Sequence, residues 1–170
     1  MAATYNNLYL DARKRLREAG VEGTQLEARE LVCCAAGKSR EQFYRDMALY
    51  ASDPVEEKLA ELLERRLAGE PVAYLIGEWE FYGLGLDITP DVLIPRMDTE
   101  VLAERAILLA RAAGEGARVL DLCAGSGCVG LAVAANVPGC RVVLADVSEA
   151  ALRLCKQNVR RNELNAPVTC

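Results

Sequence analysis

The sequence predicts an α/β protein made of a small helical domain, a connecting β-hairpin and a run of alternating strands and helices. Three observations carry that prediction. Apolar residues recur at helical spacing up to residue 76, the pattern switches to a period of two across residues 78–89, and strand–loop–helix units follow from residue 118. At 170 residues the chain holds one average domain, or one small domain and part of another. The expected division is a helical part at 1–76, a connecting hairpin at 77–94 and the α/β part at 95–170.

Each element has its own signal. Tyr5, Leu8, Ala12, Leu16 and Ala19 mark one face of a first helix that Gly20 stops. Thr24 and Glu27 suggest a capping box for a second helix, whose buried stripe is Leu31, Val32 and Ala35 up to Gly37. Ser39 starts a short third helix through Met47. Asp53-Pro54 opens a fourth, with Val55, Leu59, Leu62, Leu63 and Leu67 inside and Gly69 past its end. Glu70-Pro71 starts a last turn of helix through Ile76. Residues 78–82 and 86–89 alternate around Gly83 and Gly85, which signals a hairpin bridging two domains. Leu93–Glu100 reads as extended chain ending at a cap, Asp98 or Thr99, of a helix that buries Val101, Leu102, Ala106, Leu109 and Ala110. A buried strand at 118–123, a helix at 128–136, a strand at 141–146, a helix at 149–164 and the opening of a third strand at 167–170 complete the pattern.

Composition excludes several classes. Twenty Lys and Arg against 25 Asp and Glu leave no electrostatic footprint for direct nucleic-acid binding. The cluster Arg13-Lys14-Arg15-Arg17 is most simply a solvated helix face. No apolar run approaches membrane-spanning length and no signal peptide is evident, so a cytoplasmic protein without membrane contact is expected. Seven cysteines without a C-x-x-C pattern point to reduced thiols rather than disulfides or a metal cluster. The absence of histidine removes imidazole catalysis and histidine metal sites, and no metal ligand set is expected.

The candidate site is the stretch Arg118-Val-Leu-Asp-Leu-Cys-Ala-Gly-Ser-Gly-Cys-Val-Gly130. Gly125, Gly127 and Gly130 fit G-x-G-x-x-G, and Asp146 ends the next apolar run at the distance used to hold a ribose hydroxyl. Those facts alone would suit NAD. Asp121 argues against it, because a pyrophosphate over the loop would meet a nearby, poorly screened carboxylate. S-adenosylmethionine carries an ammonium and a sulfonium instead, so the same acid becomes an attraction. A simpler alternative is that the glycines only permit close helix–strand packing while Asp121 caps the following helix. Cys123 stands where the acidic methyltransferase signature has its first glycine; if that position needs a positive φ, the substitution costs about 1–2 kcal/mol.

Gly69-Glu-Pro-Val-Ala-Tyr-Leu-Ile-Gly-Glu-Trp-Glu-Phe-Tyr-Gly83, Leu93-Ile-Pro-Arg-Met-Asp-Thr-Glu100 and Val119-Leu-Asp-Leu-Cys-Ala-Gly-Ser-Gly-Cys128 together closely resemble the HemK/PrmC family. Its members are N(5)-glutamine methyltransferases of peptide chain release factors. The resemblance runs along the whole chain, with Met97 where relatives often have a second proline. It implies a helical substrate-docking domain at 1–76, a hairpin at 77–94, and at 95–170 the first half of a Rossmann-like class I S-adenosylmethionine-dependent methyltransferase domain. It further implies that Asp121, Cys123, Ala124, Gly125, Ser126, Gly127 and Asp146 bind S-adenosyl-L-methionine, with Asp121 near the charged methionine end and Asp146 on the ribose. Arg96, Thr99 and Glu100 would lie near the active-site mouth, though capping and interdomain packing explain them equally well. The partner implied is a release factor, and the full-length enzyme is expected to be monomeric.

The family's Asn-Pro-Pro-Tyr substrate motif does not occur in this sequence. That motif binds the acceptor amide, so no catalytic residue is assigned and the chain is expected to be a truncated enzyme, inactive alone. The family's sheet has its first strand in the middle, so strand 118–123 is expected to be an open apolar edge. A ribosomal-protein glutamine methyltransferase, a nucleic-acid adenine methyltransferase, a non-catalytic binding fragment and an NAD oxidoreductase are the competing readings, the last disfavoured by Asp121.

Overall fold

The computed structural model describes residues 3–170, and the chain divides into two compact units between Ile76 and Gly77. The first contains α1 (Tyr5–Glu18), α2 (Thr24–Ala36), α3 (Arg40–Asp46), α4 (Asp53–Leu67) and α5 (Val72–Ile76). α2 is the central helix: it packs on α1, α3, α4 and α5 through Ala28, Leu31, Val32 and Cys33. Leu16, Phe43 and Leu62 are fully enclosed around it. Ala19 and Leu67, expected on buried faces, fall at helix ends and are exposed.

Local chemistry sets the helix starts. Ser39 begins α3 with a reciprocal box: Gln42 N–H donates to Ser39 Oγ (3.2 Å) and Ser39 N–H donates to Gln42 Oε1 (2.8 Å). Pro54 sits in the first turn of α4, where its missing N–H costs nothing. α2 departs from expectation. Gly23, with φ 67°, is its N-cap and Thr24 already lies inside the helix, so the predicted Thr24–Glu27 box does not form. Glu27 instead accepts two hydrogen bonds from the Arg66 guanidinium of α4, at 2.6 and 3.2 Å. A bidentate, charge-assisted pair between two helices is stronger than a local cap bond.

The second unit contains β1 (Glu78–Phe81), β2 (Leu84–Asp87), α6 (Asp98–Ala112), β3 (Arg118–Leu122), α7 (Cys128–Asn136), β4 (Arg141–Ala145), α8 (Glu149–Arg161) and β5 (Val168–Thr169). The hairpin pairs Glu78 with Asp87 and Phe81 with Leu84. It turns at Tyr82 and Gly83, whose φ values are 51° and 77°, the double left-handed turn that matches strand twist. Its second strand therefore starts at Leu84 rather than Leu86, and Gly85 lies within it. A Cβ on Gly85 would sit 3.2 Å from a guanidinium nitrogen of Arg161. α8 fastens this hairpin: Arg161 pairs with Glu78 (2.6 Å) and with Asp87, and Asn162 Nδ2 donates to Gly85 O (3.0 Å).

β3, β4 and β5 form a parallel sheet in that order, with Arg118 opposite Arg141 and Leu122 opposite Ala145. β3 is thus an edge, as expected. It is not the buried strand its apolar sequence suggests. Val142, Leu144 and Val168 are buried on one face, whereas Leu120 (62% exposed), Leu122 (70%) and Val143 (44%) lie uncovered on the other. α6 also differs from expectation. Met97 is its N-cap and neither Asp98 nor Thr99 caps it; Ala103, Ile107 and Ala110 are buried, while Val101, Leu102 and Leu109 are exposed. Its neighbour is α7, on which it packs, a helix rich in alanine and valine.

Candidate functional site

The loop Cys123–Gly127 joins the end of β3 to α7. Its shape is set by close packing below and open space above. A Cβ on Gly130 would lie 2.3 Å from Leu144 Cδ2, 3.1 Å from Asp121 Oδ2 and 3.1 Å from Val142 Cγ1, so only glycine lets α7 rest on the sheet. At Gly125, with φ 56°, an added Cβ would meet nothing within 4 Å. Cys123 has φ 63° and an exposed side chain. The position does demand the left-handed backbone, and a non-glycine residue there is strained by about 1–2 kcal/mol.

Both acids singled out from the sequence converge on this loop. Gly130 N–H donates to Asp121 Oδ2 (2.9 Å), so Asp121 caps α7 from the neighbouring strand. Burial pushes the Asp121 carboxyl above its ordinary range; the Gly130 N–H opposes that rise and the charge of Asp146 adds to it. Gly125 N–H donates to Asp146 Oδ2 (2.9 Å) and Ser148 N–H donates to its Oδ1 (2.9 Å). The Ser148 and Gly125 amides hold Asp146 below its ordinary range. Ala124 N–H donates to Ala145 O (3.1 Å) and Gly127 N–H to Ala124 O (2.8 Å), closing the turn.

Two residues that the sequence reading passed over grip the loop from α8. Cys155 Sγ donates to Gly125 O (3.2 Å) and Asn158 Nδ2 donates to Ser126 O (2.9 Å). Desolvation raises the Cys155 thiol to about 12, so it stays protonated and remains a donor. Asn158 had a visible signal: it is the polar member of the buried stripe Ala151, Leu154, Cys155, Asn158 and Val159.

Among the other candidates, Arg96 is exposed and Glu100 Oε1 accepts from Tyr82 N–H (3.1 Å), which ties α6 to the hairpin turn. All seven cysteines are free thiols. No group of His, Cys, Asp or Glu suited to a metal ion occurs among the described residues. Of the basic cluster, Arg13 lines an open cleft of about 520 Å³ with Tyr9, Thr24, Arg29 and Tyr44, and Lys14 pairs loosely with Glu18 (3.9 Å).

Two of the amides near the loop are already taken by acids. A dinucleotide's pyrophosphate needs free amides at the loop and at the first turn of the helix. Here Asp146 takes the Gly125 amide and Asp121 takes the Gly130 amide, and both occupants are themselves negative. Each carboxylate oxygen of Asp146 keeps a second lone pair for a ligand hydroxyl.

A parallel sheet, a glycine turn after its edge strand and carboxylates at the ends of adjacent strands define a Rossmann-like α/β domain. Comparison with known proteins agrees. The methyltransferase small domain matches residues 85–170 and the PrmC N-terminal domain matches residues 7–77. The chain belongs to the methyltransferase small domain family, with a PrmC N-terminal domain at its front. It is 45% identical over 152 residues to the release factor glutamine methyltransferase of Bordetella pertussis, covering 86% of this chain and 53% of that protein. To the proteins of the same name from Coxiella burnetii and Haemophilus influenzae it is 39% and 37% identical, covering 82% and 85% of this chain and 50% and 53% of theirs. The chain spans about half the length of the curated relatives it matches.

Proposed function

We propose that this chain is the cofactor-holding part of a release factor glutamine methyltransferase that uses S-adenosylmethionine. The observation that carries this reading is the pair Asp121 and Asp146, which occupy the loop amides a phosphate would need and leave a negative site in place of an anion cradle. Bound there, S-adenosylmethionine supplies a methyl group activated by its sulfonium. Asp121 faces the cationic methionine end, the backbone of Cys123, Ala124, Gly125, Ser126 and Gly127 lines the methionine chain, and Asp146 accepts from the ribose. The acceptor is the glutamine side-chain amide in the Gly-Gly-Gln motif of a release factor. That nitrogen is a poor nucleophile because its lone pair is delocalised, so catalysis rests on positioning. None of the described side chains is assigned to hold the amide.

The helical unit docks the protein substrate, and a net charge of −5 gives no reason to add direct nucleic-acid contact. No helix among the described residues is long and apolar enough to cross a membrane; a cytoplasmic location is proposed on the ground that the proposed substrate is a release factor. A monomer is the proposed state of the full-length protein.

Calorimetric titration with S-adenosylmethionine and with NAD tests the loop; tighter binding of NAD overturns the assignment. Asp146→Ala is expected to weaken adenosylmethionine binding by about 1–3 kcal/mol, the cost of leaving polar partners unpaired. An unchanged affinity places the ribose elsewhere. The acceptor is tested by mass spectrometry of a release factor after incubation with cofactor and a protein that contains this chain. A methyl group found outside the Gly-Gly-Gln glutamine refutes the substrate.

A further inference from the structure

Asn158 lies on α8 with none of its surface exposed, one of three buried polar residues in the protein's described part. Its side-chain amide is almost fully used. Asp87 N–H donates to Asn158 Oδ1 (2.6 Å), while Nδ2 donates to Asp87 O (3.1 Å) and to Ser126 O (2.9 Å). Asp87 is the last residue of β2 and pairs across the hairpin with Glu78. Asn158 therefore continues the hairpin's ladder with a side-chain amide and passes its remaining donor to the loop. Cys155, one turn earlier on the same face, holds the preceding carbonyl, Gly125 O.

Geometry then fixes what the loop presents. A trans peptide points its C=O and the following N–H in opposite directions. With Gly125 O turned to α8, Ser126 N–H points away from the helix. Ser126 itself is 2% exposed, so the peptide has little room to flip.

We propose that Asn158 is a positioning residue for the cofactor loop and that it couples the loop to the hairpin. Arg161 sets the other end of this link, since it clamps the hairpin through Glu78 and Asp87. Disturbing the hairpin thus alters the loop through one buried amide. The affinity part of the proposal rests on the adenosylmethionine reading; the coupling does not.

The test uses the full chain and its variants Asn158→Ala, Arg161→Ala, Arg161→Lys and the Asn158→Ala/Arg161→Ala pair. Amide hydrogen exchange is measured at Gly125–Gly127 without ligand, and adenosylmethionine affinity by calorimetry. Arg161→Ala, a change at a partly exposed side chain, is expected to speed exchange at the loop, with Arg161→Lys restoring part of the protection. Asn158→Ala is expected to weaken adenosylmethionine binding by roughly tenfold, because a loop no longer held in place must be ordered on binding. Adding Arg161→Ala to Asn158→Ala is expected to change loop exchange and affinity little further. Loop exchange unchanged in Arg161→Ala overturns the coupling, as does full additivity in the pair. If Asn158→Ala does not fold, the Arg161 variants alone decide. Failure of the parent to bind adenosylmethionine counts against the cofactor reading, while the exchange arm still judges the coupling.

Discussion

Gly130→Ala is the sharpest perturbation the structure offers. Two carbon atoms are comfortable at about 3.5–4.0 Å, yet the new methyl would lie 2.3 Å from Leu144 Cδ2. Rotating Leu144 away is not free, because that side chain is 1% exposed, and Asp121 Oδ2 and Val142 Cγ1 close the other directions at 3.1 Å. Overpacking of this kind costs about 1–3 kcal/mol. Alanine returns about 1 kcal/mol of helix propensity, and the three-sided contact places the net loss at about 1–2 kcal/mol. For a domain of this size that lowers the melting temperature by about 4–16 °C. Urea unfolding of parent and variant reads the loss directly. Leu144→Val removes the clashing methyl, so the pair Gly130→Ala/Leu144→Val should lose less than the sum of the single changes. A Gly130→Ala protein as stable as the parent, or more so, refutes the packing argument.

Cys123→Gly should stabilise the protein by up to about 1 kcal/mol, since relief of the left-handed strain exceeds the extra flexibility of glycine in the unfolded chain, whereas Cys123→Val should destabilise it; thermal unfolding decides, and equal melting temperatures would remove the strain. Asp46 is held down to about 2, first by its hydrogen bond from Arg45 and then by that from Lys38. A depressed carboxylate contributes stability that is full above the ordinary range near 4 and lost as pH falls through its folded value. Urea midpoints should therefore drop between about pH 4 and pH 2, and Asp46→Asn should flatten that drop; an unaltered acid profile in the variant contradicts the pairing. Asp121 behaves with the opposite sign, because burial raises it in the free protein. A bound cation lowers it again, so adenosylmethionine affinity should rise with pH through its titration and level off above. Asp121→Asn should bind weakly and without that slope, and a parent with no slope breaks the link between Asp121 and the cation.

The sequence by itself determined the order and kind of the elements. Hydrophobic spacing is a local property, and so are the proline at the start of α4 and the glycines at the hairpin and before α7; each acts within a few residues of itself. The same holds for the site: Asp121, the G-x-G-x-x-G run and Asp146 were legible because a strand–turn–helix constrains residue types at fixed spacing. Tertiary structure decided what the local pattern left open. Thr24 looks like a cap until Arg66, far along the chain, draws Glu27 away. The buried side of α6 depends on where α7 packs, which the apolar positions Val101, Leu102 and Leu109 do not encode. Exposure of Leu120 and Leu122 follows from which elements cover that face of the sheet, not from β3 itself. Asn158 joins Asp87 to Ser126 across separations that no window of sequence spans. A hydrogen-bond partner or a packing face is chosen by distance in space, and distance in space is what a linear pattern does not carry.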